Sequence, residues 1–130
     1  MVIVDTSVWI DYFNGRYNKF TEKLADLEKK KYDIFTTGII ITEILSGIRS
    51  SKDYKIIKEK LLQLPYVNLI YPSTYIESAL IFKKGKKTGI TIRKIIDCLI
   101  AQLAIENGLL LLHHDKDFDR IATFSKLKIY

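Results

Sequence analysis

Apolar and polar positions divide the chain into short blocks that predict strands and helices in alternation. Residues 2–4 form an apolar, β-branched run ended by Asp5, which is typical of a strand buried on both faces of a parallel sheet. Residues 109–112 are a second wholly apolar run, and segments 33–36 and 66–71 are further strand candidates. Residues 126–130 are consistent with a small last strand. The pattern therefore predicts a sheet of mostly parallel strands.

Helical spacing of apolar residues predicts helices between these strands. The first carries Val8, Trp9 and Phe13 and ends at Gly15, and Trp9 is assigned either to the core or to a dimer surface. Further helices are predicted near 20–30, from Gly38, over 54–64, from 72 and over 93–106. Segment 83–89 is basic and contains two glycines, so it is predicted as a loop. Strands alternating with helices indicate the α/β class.

Length and composition fit one globular domain over residues 1–130. Hydrophobic residues make up 48% of the chain and charged residues 28%, a balance that argues against disorder. No apolar run approaches the about 20 residues that cross a membrane, and no signal peptide is recognisable. The single Cys98 cannot form an internal disulfide, so we expect a packed thiol and a cytoplasmic protein.

The charge balance is basic, with 21 Lys and Arg against 15 Asp and Glu, a formal net charge of +6. Such a surface attracts polyanions, including nucleic acids. Lysine-rich solvated helices also occur in proteins without a nucleic-acid partner, so charge alone leaves both interpretations open.

Two acids directly follow apolar strand candidates. Asp5 ends the first run, and Asp115 comes shortly after 109–112. In open parallel sheets ligands bind outside the carboxyl ends of the strands, so both carboxylates are expected near such a site. The alternative is structural, since Asp is a common helix cap and turn residue.

Two further acids lie on predicted apolar helix faces. Asp97 has isoleucine and alanine three, four and seven residues further on, and Glu43 has isoleucines three and four residues before it. Acidic residues are rarely buried unless paired. The alternative is a surface ion pair, with Arg93 or Arg49 as partner.

If these four carboxylates converge, their mutual repulsion requires protonation or a cation. Two like charges about 4 Å apart cost about 4 kcal/mol at an effective dielectric of about 20. Oxygen donors without an obligatory Cys or His favour Mg²⁺ or Mn²⁺ over Zn²⁺. One or two such ions would activate water for phosphodiester hydrolysis.

Four segments in this order resemble the motifs of PIN-domain nucleases and, within that family, of VapC-type toxins of prokaryotic toxin–antitoxin pairs. They are residues 2–10, 42–49, 96–101 and 111–118, with Asp5, Glu43, Asp97 and Asp115 as their acids. The resemblance implies a three-layer α/β/α fold and these four acids as catalytic and metal-binding residues. It also implies Mg²⁺ or Mn²⁺, endonucleolytic cutting of RNA, a homodimer and a small antitoxin that blocks the site.

Several neighbours of the acids are candidates for supporting roles. Thr6 and Ser7 are expected to cap the first helix, and one hydroxyl can also support the metal site. His113 stands where many relatives carry Thr or Ser, so it either supports the metal site or packs at the strand end. Asp117 is either a weaker fifth acid or a solvent-facing turn residue, and we favour the turn.

The densest basic segment precedes Asp97 and includes Arg93 and Lys94. It is either a solvated loop or a track for RNA phosphates, with Arg93 the preferred substrate contact because its guanidinium matches phosphate geometry. The favoured function is a metal-dependent endoribonuclease toxin. A structure-specific DNA or flap nuclease and a non-catalytic RNA-binding regulatory domain are the alternatives.

Overall fold

Three short apolar segments form the central sheet in the computed structural model, which describes residues 1–130. They are β1 (Val2–Val4), β2 (Ile34–Phe35) and β3 (Leu110–Leu112). The order is β2-β1-β3, and both pairings are parallel. All three residues of β1 are buried, although successive side chains point to opposite faces, so both faces of the sheet are covered. The predicted α/β class with a parallel sheet is confirmed.

Seven helices surround the sheet. In chain order they are α1 (Thr6–Phe13), α2 (Lys19–Lys29), α3 (Gly38–Ser46), α4 (Ser51–Leu62), α5 (Ser73–Lys87), α6 (Ile95–Glu106) and α7 (Lys116–Phe124). Helix α1 packs against α2 and α3, and α3 packs against α4, while α5, α6 and α7 pack against one another. None of the seven combines the length and apolar character that a membrane crossing requires.

Three predicted elements are wrong. Segment 66–71 is not a strand and makes only an isolated bridge from Tyr66 to Thr36, and the end of the chain makes only a bridge from Ile129 to Leu111. Segment 83–89 is not a loop, because α5 continues to Lys87. Its lysines are good helix formers, and cations suit a helix C-terminus.

The core joins the sheet to the helices around it. Its largest side chains include Trp9 and Phe118, so Trp9 belongs to the core rather than to the surface. Cys98 is buried among the same residues, as expected for a packed thiol. This packing fixes the carboxyl edge of the sheet, where the candidate site lies.

Candidate functional site

Asp5 and Asp115 lie at the carboxyl edge of the sheet, where each caps a helix. Asp5 Oδ2 accepts hydrogen bonds from the backbone N of Ser7 at 3.0 Å and from its Oγ at 2.6 Å. Asp115 Oδ1 accepts from the backbone N of Asp117 at 3.0 Å. The capping interpretation is therefore correct, with Asp5 rather than Thr6 or Ser7 as the α1 cap. Capping engages one oxygen of each carboxylate and leaves the second without a capping bond.

Three of the four predicted acids line one cavity of about 330 Å³. Helix α3 contributes Glu43, whose Oε1 accepts a hydrogen bond of 2.8 Å from the hydroxyl of Thr6. The complete lining is Asp5, Thr6, Ser7, Ile10, Glu43, Ser46, Lys94 and Asp115. The fold thus brings together carboxylates from three separate segments, with two hydroxyl groups bonded to them.

Asp97, the fourth acid, lies buried beside this cavity in the first turn of α6. It is 2% exposed, and its Oδ2 has no hydrogen-bond partner. Lys94 links it to the cavity, because Lys94 Nζ lies 3.9 Å from Asp97 Oδ1 and 3.8 Å from Asp115 Oδ2. Burial raises the pKa of Asp97 to about 7, and the nearby carboxylates of Asp5 and Asp115 add to the rise while Lys94 opposes it. Burial also raises the pKa of Asp5, despite its bonds from Ser7.

The donor atoms of the site are of the kind that a hard divalent cation prefers. The four acids supply only oxygen ligands, which Mg²⁺ and Mn²⁺ prefer, and the unpartnered Asp97 Oδ2 is a buried acceptor without a donor. However, no three acidic, His or Cys side chains are grouped closely enough to hold one ion as they stand. The ammonium group of Lys94 lies between Asp97 and Asp115, where it offsets their charge.

Asp117 is not a solvent-facing turn residue, and that prediction is wrong. Its side chain is 0% exposed and binds two arginines. Arg93 Nε donates to Asp117 Oδ2 at 3.1 Å, and Arg120 Nη1 donates to Oδ1 at 2.9 Å. Burial works against the ionised form, but the hydrogen bonds from Arg93 outweigh it and hold the pKa of Asp117 below its usual range. Arg93 also donates to Asp115 Oδ1 at 3.2 Å.

His113 supports the backbone that leads to Asp115. The imidazole is buried, and its Nδ1 accepts a 3.1 Å hydrogen bond from the backbone N of Asp115. This bond assigns the ring proton to Nε2, which lies 3.3 Å from Asp119 Oδ1 but is not aligned to bond it. Burial lowers the pKa of His113. The ring also contacts Phe118, so His113 both packs and holds the backbone of the site.

A second polar cluster, which the sequence pattern did not predict, lies beside Ser7. Asp11, one turn further along α1, is buried, and its Oδ2 lies 2.9 Å from His114 Nδ1. The backbone N of His114 donates to Ser7 Oγ at 3.0 Å. The cluster therefore connects α1 to the segment that precedes Asp115. The spacing of four residues between Ser7 and Asp11 was the one available sequence signal.

Comparisons with known proteins agree with this architecture. The family model of the PIN domain matches residues 2–123. The chain is 32% identical over 134 aligned positions to VapC ribonuclease Mb1587 of Mycobacterium bovis and to Ribonuclease VapC11 of Mycobacterium tuberculosis. Each alignment covers 98% of this chain and 96% of the relative.

Several solved structures from bacteria have the same fold, and three of them illustrate the match. VapBC2 from Rickettsia felis, bound to a promoter DNA fragment, matches with a TM-score of 0.76 at 16% identity. FitAcB from Neisseria gonorrhoeae matches at 0.75 and 19%, and VapBC-1 from nontypeable Haemophilus influenzae at 0.72 and 20%. All three cover 100% of this chain and 98%, 96% and 97% of the respective matched chains.

At these identities the structural matches bear on the fold, and they confirm the expected α/β architecture. The domain match spans nearly the whole chain, and the VapC ribonucleases are related to it over almost their full length. The resemblance seen in the four acidic segments is therefore confirmed. This chain belongs to the PIN-domain family.

Proposed function

We propose that this chain is a metal-dependent endoribonuclease and the toxin of a toxin–antitoxin pair. The observation that carries this proposal is the meeting of Asp5, Glu43 and Asp115 around one cavity, with buried Asp97 linked to it through Lys94. The two relatives named above are VapC ribonucleases, and several matched structures are VapBC complexes. The proposed nuclease activity is therefore supported both by the carboxylates of the cavity and by the similarity to VapC ribonucleases.

Asp5, Glu43, Asp97 and Asp115 would hold Mg²⁺ or Mn²⁺. Such an ion, when bound, lowers the pKa of water and stabilises charge on the scissile phosphate. Lys94 contacts two of these acids, so its ammonium group and a bound cation would compete for the same carboxylate oxygens. A displaced Lys94 would then be available to an RNA phosphate, which agrees with its proposed role as a substrate contact.

The chain's own hydroxyl and imidazole groups orient the acids. Ser7 fixes one oxygen of Asp5, and Thr6 fixes one oxygen of Glu43. His113 holds the backbone at Asp115. Metal sites depend on such supporting bonds, because they prevent the ligands from rotating out of position. We therefore assign Thr6, Ser7 and His113 to positioning the acids.

The proposed partners are an RNA substrate, a small cognate antitoxin and a second copy of the chain. VapBC complexes among the matched structures support the antitoxin, and the net charge of +6 supports the polyanion. The single unpaired cysteine is compatible with the cytoplasm, where we place the protein.

Cleavage by an Asp97→Asn variant tests the proposed function. We expect RNA cleavage with Mg²⁺ to fall by more than about 100-fold, because loss of even a supporting metal partner costs about 10–100-fold. Asp33→Asn is the control, since Asp33 is exposed at the other edge of the sheet and its side chain has no partner. Matched RNA and DNA substrates separate this function from a DNA nuclease. An Asp97→Asn protein that cuts RNA as the unmodified protein does would contradict the proposal.

A further inference from the structure

A second cavity, of about 450 Å³, adjoins the carboxylate cavity and has no apolar lining residue. It is lined by Arg93, His114, Asp115, Lys116 and Arg120. Asp115 lines both cavities, so the two lie next to each other. Three cationic side chains surround the second cavity and only one acid does. Its composition therefore suits an anion.

One buried carboxylate, that of Asp117, binds both arginines of this cavity, and Arg93 also donates to Asp115. Asp117 gives one oxygen to Arg93 and the other to Arg120. The arginine side chains remain 66% and 51% exposed, so guanidinium N–H groups that bind neither Asp117 nor Asp115 are accessible to a ligand. Lys116 has no ion-pair partner at all. The cavity therefore exposes to solvent two guanidinium groups held in place and the unpaired ammonium group of Lys116.

We propose that this cavity binds a backbone phosphate of the RNA adjacent to the phosphate that is cut, and that Asp117 positions Arg93 and Arg120 for it. The inference rests on the proposed nuclease function. Guanidinium groups donate parallel hydrogen bonds to phosphate oxygens, and a pre-oriented pair loses less side-chain freedom on binding than two free arginines. Asp117 is thus a positioning residue and Lys116 a direct phosphate contact.

The test measures both RNA cleavage and RNA binding for Lys116→Gln and Arg120→Gln. Binding of a fluorescein-labelled single-stranded RNA is followed by anisotropy in an Asp97→Asn background, where the RNA stays intact. We expect KM and Kd to rise about 3–10-fold and kcat to stay within about twofold. The slope of log Kd against log salt concentration should fall by the amount that corresponds to about one phosphate contact. Lys30→Gln is the matched control, because Lys30 follows α2 before β2 begins, at the opposite edge of the sheet.

Asp117→Asn separates positioning from charge. The substitution makes the molecule more positive, so charge alone predicts tighter RNA binding. Loss of the arginine anchor predicts weaker binding, measured well below the melting temperature. If Asp117→Asn does not fold, the Lys116→Gln and Arg120→Gln variants alone test whether the cavity binds a phosphate.

Three results would overturn the inference. Tighter binding by Asp117→Asn would remove its positioning role. Unchanged KM and Kd in Lys116→Gln and Arg120→Gln, in a protein that cuts RNA, would reject the subsite and leave the proposed function intact. An unmodified protein that neither binds nor cuts RNA would reject both.

Discussion

Asp97 is the residue whose environment is hardest to explain by folding alone. One of its oxygens lies 3.9 Å from Lys94 Nζ, and the other is buried without any donor. Burial of an unpartnered carboxylate oxygen destabilises the folded state, and buried polar groups almost always have partners. Strongly shifted pKa values of this kind cluster at functional sites. A cation that completes the site would satisfy this oxygen.

The shifted pKa of Asp97 predicts a pH-dependent stability in the absence of metal. Its folded pKa of about 7 lies above the ordinary value of 3.8. Between these values the folded chain keeps a proton that the unfolded chain has lost, so the free energy of unfolding falls as pH rises from about 4 to about 7 and then levels off. Each unit of difference in pKa corresponds to about 1.4 kcal/mol, so Asp97→Asn should be more stable than the unmodified protein above about pH 7.

Urea unfolding with EDTA at about pH 5 and about pH 8 measures this difference. The comparison between the unmodified protein and Asp97→Asn isolates Asp97 from the other shifted carboxylates. Parallel pH profiles for the two proteins would show that Asp97 keeps its ordinary pKa.

Sequence patterns predicted the acids of the site but not their partners. Asp5 and Asp115 follow strands, and Asp97 lies on an apolar helix face, so their positions follow from local periodicity. Asp117 was mispredicted because its partners, Arg93 and Arg120, lie 24 residues before it and three residues after it, and only the folded chain brings all three together.

Among the helices, α5 and α6 are in close contact, and Gly85 allows α5 to pack closely against its neighbours. A Cβ on Gly85 would lie 3.0 Å from the carbonyl oxygen of Ile90 and 3.1 Å from Cζ of Phe124. The carbonyl belongs to the backbone and cannot rotate away. The short distance from Gly85 to these atoms, rather than a need for backbone flexibility, explains why glycine occupies this position.

Gly85→Ala is therefore expected to destabilise the fold by about 1–3 kcal/mol, the usual cost of overpacking. Gly38→Ala is the control, since a Cβ on Gly38 meets nothing within 4 Å. It should be neutral or stabilising by up to about 1 kcal/mol, because Ala favours a helix. Urea unfolding midpoints of both variants measure the effect, and an equally stable Gly85→Ala protein would contradict this account of α5 packing.

The sequence predicted most elements because their apolar periodicity is strong, and it failed where packing decides. In segment 66–71 the side chains of Tyr66, Ile70 and Tyr71 are exposed, and only one bridge to the β2 side forms. In segment 83–89 the glycine was interpreted as a helix breaker, but Gly85 is buried against α7. Local patterns carry no information about such tertiary contacts.

At the scale of the whole molecule, the fold gathers negative charge at one edge of a basic protein. The carboxyl ends of the parallel strands, the start of α6 and helix α3 all contribute to that edge. Lys94 and Arg93 offset part of this charge. Under the proposed function, an approaching RNA would meet cationic side chains around an acidic pocket, a distribution that suits a metal-dependent nuclease.

Anomalous scattering from crystals grown with Mn²⁺ locates the ion and shows whether carboxylates distant in the chain jointly bind it. We predict an ion among the carboxylates of Asp5, Glu43, Asp97 and Asp115, with Lys94 moved away from Asp97. Crystals grown with Mn²⁺ that show no ion among these side chains, with Lys94 still beside Asp97 and Asp115, would contradict the account.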